Sequence, residues 1–286
     1  MQRKAMRRAV QVASLLRHPI GYVRLRRTIA RARRAGIAAD DSRIPVKYLG
    51  AYLSAAIDTY GRLCATWCHY DYLLPRIGDG PGSRAWRDGF AVWKHDDAAG
   101  RQHRIVLQSA HFAPMEGEAE LLFSLDGRTL CAITFAIVDR RLIGEDGDGA
   151  IVFVGGIQGG YWVREEMRYA ARESGEIAPL AMLLLGLRAL ADVFGIDAVA
   201  GTSTEHQVAK DYQVDGRSMT LDYDDFWLRA NGVRNARGFF VVRADNANDA
   251  DDPVTGNHRA RTRRRRRLKA ERCAAMAAVM RERLNL

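Results

Sequence analysis

The chain has 286 residues, 48% of them hydrophobic, and a formal net charge of +10 at pH 7. A chain of that size and apolar content can bury a sizeable core. No stretch approaches the roughly 20 apolar residues of a membrane helix. The longest candidate, Ile177 to Phe194, is interrupted by Pro179, Arg188 and Asp192. The basic N-terminus has no apolar run behind it, so the sequence carries no secretory signal pattern and points to the cytoplasm.

Charge is unevenly distributed. Residues 1–34 hold eleven Arg and Lys and no acid; residues 257–286 hold eleven against Glu271 and Glu282; the interior is net acidic. Strongly basic ends can engage nucleic acid or an anionic membrane surface, including the inner face of the inner membrane, or fold back onto an acidic core. Four cysteines are present: Cys64, Cys68, Cys131 and Cys273. Cys64, Cys68 and His69 are closely spaced but lack the second ligand pair of a zinc site, so buried thiols are expected and no metal site is assigned.

Residues 1–34 read as helix, broken at His18-Pro19 because a proline disfavours helix in the residue before it. The apolar positions Val46, Leu49, Tyr52, Leu53, Ala56, Ile57 and Tyr60 predict a helix over 46–74, ended by Pro75 and the glycines of 78–82. Four short apolar runs follow, at 104–108, 119–125, 130–138 and 150–157. The Asp126-Gly127 pair predicts a tight hairpin between the second and third. The acidic, glycine-rich stretch 144–149 reads as a solvated hairpin tip. A polar helix is expected from about Val163 to Glu173 and an apolar one over 179–194, with Pro179 in its first turn and Gly195 at its end. Ile196–Gly201 is a buried-strand candidate, Ser203–His206 a short helix entry, and 217–222 and 238–243 complete the strands. Residues 244–258 read as linker, and the arginines 263–267 lead into a last helix. The order gives an α+β fold with one mainly antiparallel sheet, flanking helices and basic helical ends. The expected organisation is a helical region over 1–90, a core over 91–243, and a linker with an Arg-rich helix over 244–286.

Several ordered segments resemble the VirK/YbjX family of bacterial proteins: Val154-Gly155-Gly156-Ile157-Gln158-Gly159, Arg164 to Arg172, Leu180–Gly195, Gly201-Thr202-Ser203-Thr204-Glu205-His206, and Tyr223-Asp224-Asp225-Phe226-Trp227. One departure is Thr204 where the resemblance leads us to expect Asn before the Glu-His pair. The resemblance implies a part in virulence or envelope adaptation, including tolerance of cationic peptides, and no defined chemistry.

At the level of fold, a strand ending in 155–160, then a long helix, a strand and a short helix, is similar to the GNAT-type acyltransferase core. That implies an acyl-coenzyme A donor whose pyrophosphate would sit on backbone amides at a helix start. Gln158, Gly159 and Gly160, with Arg164 and Arg168, are the residues that could hold it. The alternative is that the glycines end a buried strand and permit a turn. His206 is the best acid–base candidate, with Glu205 and Ser203 close in sequence. Tyr223, Asp224, Asp225 and Trp227 could place a base and an apolar wall beside it; equally, the carboxylates could cap a helix. Arg263–Arg267 can fork onto phosphates of a polyanion, RNA or anionic membrane, without a recognised sequence-reading motif. The sequence therefore carries two readings, an acyltransferase acting on an envelope component and a polyanion-binding accessory protein.

Overall fold

A computed structural model of the chain describes residue 12 and residues 16–78, 80–159, 163–209, 213–214, 217–218, 221–243 and 259–286. The first long helix, α1 (Pro19–Arg34), starts on a proline whose missing N–H no helix start would use. It buries Leu25, Thr28, Ile29 and Ala32, three and four residues apart. A 3₁₀ turn (Ile44–Leu49) and an irregular stretch follow, then α2 (Thr59–Ile77) and α3 (Pro81–Asp88). Asp58 caps α2 by accepting the Gly61 N–H at 2.7 Å.

The predicted helix over 46–74 is thus two pieces. Between them Leu53 has φ +65°, a left-handed conformation unfavourable for a leucine, and gives its N–H to the Met115 carbonyl instead of to a helix. Pro75 does not end α2, which runs two residues further; a proline withholds only one helical hydrogen bond in a last turn.

The sheet has eight strands: β1 (Phe90–Asp96), β2 (Gln102–Ser109), β3 (Ala119–Leu125), β4 (Arg128–Asp139), β5 (Ala150–Gly159), β6 (Ala198–Gly201), β7 (Val233–Arg234) and β8 (Phe240–Arg243). Their spatial order is β1-β2-β3-β4-β5-β6-β8-β7. The first five form an antiparallel meander. Asp126 and Gly127, both at positive φ, make the tight turn between β3 and β4. Two helices, α4 (Arg164–Glu173) and α5 (Pro179–Val193), then carry the chain to β6, which lies parallel to β5. A small separate hairpin pairs Gln213–Val214 with Arg217–Ser218. Tyr223–Arg229 forms a short helix, α6, not part of a strand, because Asp222 accepts the Asp225 N–H and caps it. The last helix, α7 (Arg259–Leu284), contains the five consecutive arginines. The expected linker 244–258 lies outside the described residues.

The apolar interior is mainly one cluster that draws on residues from Leu25 in α1 to Leu284 in α7. Helix α5 lies over β3 to β6, and α7 packs on α5, α3 and β1. A second cluster joins Tyr52, Leu53 and Ile57 to Ala136, Val138, Phe153, Phe239 and Val241. Among the described residues no helix is long and apolar enough to cross a membrane.

Candidate functional site

Two features of β5 create the site. The first is a bulge: Thr134 pairs with Gly156 and Phe135 with Val154, so Gly155 is an extra residue without a partner on β4. The second is the early end of β6. Its last ladder pair is Gly201 with Val154, and the Thr202 N–H then closes on the Val154 carbonyl. Beyond that point β5 runs on to Gly159 paired with β4 on one side and without a strand on the other. In a sheet with parallel neighbours, the crevice outside their carboxyl ends is where ligands bind.

The loop before β3 crosses the bulge. A methyl group on Gly155 would lie 2.2 Å from the Glu116 carbonyl oxygen and 2.6 Å from that of Leu53; one on Gly156 would lie 1.7 Å from Glu116 Oε2. The paired glycines therefore serve close approach of another backbone, inside the strand and not at its end. The Glu116 side chain is held against the strand, where Gln158 Nε2 donates to its Oε2 at 2.9 Å.

Beside it is a cavity of about 290 Å³, whose wall includes Glu116, Gln158, Tyr223, Gln207, Phe112 and Cys131. Glu116 is 4% exposed. Burial pushes its carboxyl up to about 7, against a smaller opposing effect of the Gln158 hydrogen bond. It thus changes protonation near neutral pH at the edge of a cavity, which is the property a general base or acid needs. The Tyr223 hydroxyl takes the Ile157 N–H at 2.7 Å, replacing the partner that β6 no longer supplies. A phenol that accepts one hydrogen bond still has its own O–H to give. Burial raises the Tyr223 phenol further above its ordinary range, so it is neutral.

The neighbouring glutamates show why Glu116 differs. Glu118, 5% exposed, accepts from Lys47 Nζ, the Tyr52 hydroxyl and the Tyr70 hydroxyl, each at 2.7 Å. Glu120 accepts from Gln108 Nε2 and from the backbone N–H groups of His111 and Phe112. Glu116 has a single donor among the described residues. Sequence reasoning did not single out Glu116, which lies in the turn before β3, where its N–H donates to the Ala113 carbonyl at 2.9 Å.

Of the residues singled out in the sequence, Gln158, Gly159 and Tyr223 come together at this cavity. The others take separate places. Trp227 is fully buried; its indole N–H donates to the Thr202 carbonyl at 3.0 Å, and its ring fills the space that a side chain on Gly201 would need. Asp224 accepts the Thr204 N–H at 2.7 Å, and the Thr204 hydroxyl accepts the Tyr223 N–H at 2.8 Å, so these groups lock the turn after β6 to the start of α6. Asp225 is exposed and pairs with Arg229 one turn on.

Ser203 Oγ is 3.1 Å from His206 Nδ1, and His206 Nε2 is 4.0 Å from Glu205. That spacing suits a nucleophile and its base, but Ser203 has no exposed surface for an electrophile to approach. His206 is not among the residues lining the cavity.

A coenzyme A pyrophosphate does not fit the start of α4. The first turn carries Glu165 and Glu166, which repel phosphate where the helix dipole would attract it. Arg168 is paired with Glu165 at 2.9 Å, and Arg164 is exposed on the same helix. Gly160 lies outside the described residues. His69, close in sequence to Cys64 and Cys68, turns into the core and accepts the Ile137 N–H on Nδ1 at 3.1 Å. Burial lowers its pKa to about 3, so it is a neutral core histidine.

A family model described as a protein of unknown function (DUF535) matches residues 1–277. The chain belongs to this family, which is that of VirK and YbjX. The VirK/YbjX resemblance carried by 154–159, 201–206 and 223–227 thus falls on the bulged strand, the end of β6 and the helix that closes the site. No curated protein and no solved structure matches the chain.

Proposed function

We propose that this DUF535 chain is an enzyme whose active centre is the cavity beside Glu116, and that it transfers an acyl group from a thioester to an amine or hydroxyl. The observation that carries the reading is a buried carboxyl, with a pKa raised to about 7, on the wall of a cavity at the open end of β5. The order of elements supports an acyltransferase core of the GNAT type: an antiparallel meander, a bulged strand, a helical crossover, and a parallel neighbour that ends early. Glu116 as carboxylate takes the proton of the attacking N–H or O–H, and Gln158 fixes the orientation of its carboxyl. Tyr223 donates its O–H to the oxygen on which charge develops. The acceptor gains the acyl group, and the thiol leaves with a proton. A cavity of about 290 Å³ has room for the reacting ends and not for a whole coenzyme. The nucleotide end of a donor therefore contributes little. A cytoplasmic role in envelope adaptation or virulence, with an envelope component as acceptor, is part of the same proposal.

The test is a thermal-shift titration with acetyl-coenzyme A and with acetyl-pantetheine, which lacks the nucleotide. A ligand of the native state raises the melting temperature. Similar saturable shifts with both, unchanged in His206→Ala, are expected. Absence of any shift at millimolar thioester would remove the reading. A second reading rests on α7, where Arg263, Arg264, Arg265 and Arg267 are exposed: polyanion binding, with affinity falling steeply as salt rises. Salt-insensitive binding, or binding unaffected by replacing these arginines with Gln, would exclude it.

A further inference from the structure

Helix α1 has two apolar sides. One, formed by Leu25, Ile29 and Ala32, is buried in the core. The other faces solvent: Ile20 is 84% exposed and Val23 46%, with Leu16, just before the helix, at 76%. At 100° per residue Ile20 and Val23 fall on the side opposite Leu25 and Ile29. Large aliphatic side chains at four- and three-residue spacing on an outward face leave apolar surface in water that this fold does not cover. Around and beyond them are Arg24, Arg26, Arg27, Arg31 and Arg34, all exposed, and the helix contains no acidic residue.

We infer that the outer face of α1 docks on an anionic lipid surface, with Leu16, Ile20 and Val23 entering the acyl boundary and the arginines pairing with headgroup phosphates. Each half of the surface selects the partner. Aliphatic side chains gain from hydrocarbon, and guanidinium groups fork onto phosphate. A nucleic acid would use the arginines and leave the aliphatic groups in water. A second copy of the chain would bring two all-basic helices together, which repel. The core side anchors the helix in advance, so docking needs no coupled folding of α1. This inference is independent of the cavity and its chemistry.

The test is co-sedimentation of the full chain with vesicles of phosphatidylcholine alone and of phosphatidylcholine with 30% phosphatidylglycerol, at about 0.1 M salt, where screening is partial. The comparison variant is Leu16→Ser/Ile20→Ser/Val23→Ser, which changes only exposed side chains and should keep the wild-type melting temperature. The wild type is expected to partition onto the anionic vesicles, and the variant at least roughly tenfold less, since it gives up the buried apolar area. No partitioning of the wild type onto anionic vesicles would overturn the inference. Equal partitioning of the variant would overturn it too, because the arginines alone would then account for binding.

Discussion

Replacing Glu116 by Gln should make the protein more stable above neutral pH, by an amount set by the shift of a single carboxyl. Burial moves Glu116 from an ordinary 4.5 to about 7. Between those values the native state holds the proton more tightly than the unfolded chain does. Stability contributed by this group is therefore complete below about pH 4.5, falls as pH rises through the window, and is level above about 7. The full difference is about 3 kcal/mol, from roughly 1.4 kcal/mol per pH unit. Gln has the same shape, no charge, and a carbonyl oxygen that can still accept from Gln158 Nε2. Urea denaturation of wild type and Glu116→Gln at intervals from pH 4.5 to 8.5 isolates the group, because every other carboxyl titrates in both proteins. The variant should match the wild type at the acid end and exceed it by about 3 kcal/mol at the alkaline end. A difference that does not change with pH would mean that Glu116 titrates like an exposed carboxyl, and the chemical argument built on it would lose its basis.

Three other substitutions test the geometry around the site. Gly156→Ala places a methyl group 1.7 Å from Glu116 Oε2; overpacking should cost about 1–3 kcal/mol and abolish the pH dependence described above, both read from the same urea series. Tyr223→Phe leaves the Ile157 N–H without its partner; a loss of about 1–3 kcal/mol and faster hydrogen exchange at that amide are expected, and unchanged exchange would contradict the assignment. Lys47→Met removes the cation from the buried Lys47–Glu118 pair; a loss of about 3–5 kcal/mol should appear in chemical denaturation, and a change below 1 kcal/mol would show that the tyrosines alone satisfy Glu118.

Much of the sheet was legible because local signals agreed with it. Asp126-Gly127 sits between two apolar runs and folds as the tight turn those residues favour. Pro179 and Gly195 bracket α5 as expected, with Gly195 at φ +67°. Strand β1 was missed because only Phe90 and Val92 of its alternation are fully buried, while Lys94, His95 and Asp96 give it the look of a loop. The irregular stretch around Leu53 could not be foreseen: its apolar residues have helical spacing, and the hydrogen bond that pulls Leu53 out of helix comes from Met115, 62 positions away. The aromatic-acidic stretch 223–227 left two readings open in the sequence, a site wall and a helix cap, and it folds as the first turns of α6. The deciding contact is a cap from Asp222, the residue just before the stretch. Glu116 was hidden for a related reason. A carboxyl becomes chemically unusual through what surrounds it, and its surroundings come from β5, some forty residues later.

The proposed role of Glu116 is to move a proton during acyl transfer. It is tested most directly by thiol release from a small thioester in the presence of amine and hydroxyl acceptors, followed from pH 5 to 9 in wild type and Glu116→Gln. The wild-type rate should rise with an apparent pKa of about 7. Glu116→Gln should be slower by roughly 10²–10⁴-fold at pH 8 with little change in KM. Equal rates and equal pH profiles in the two proteins would contradict it.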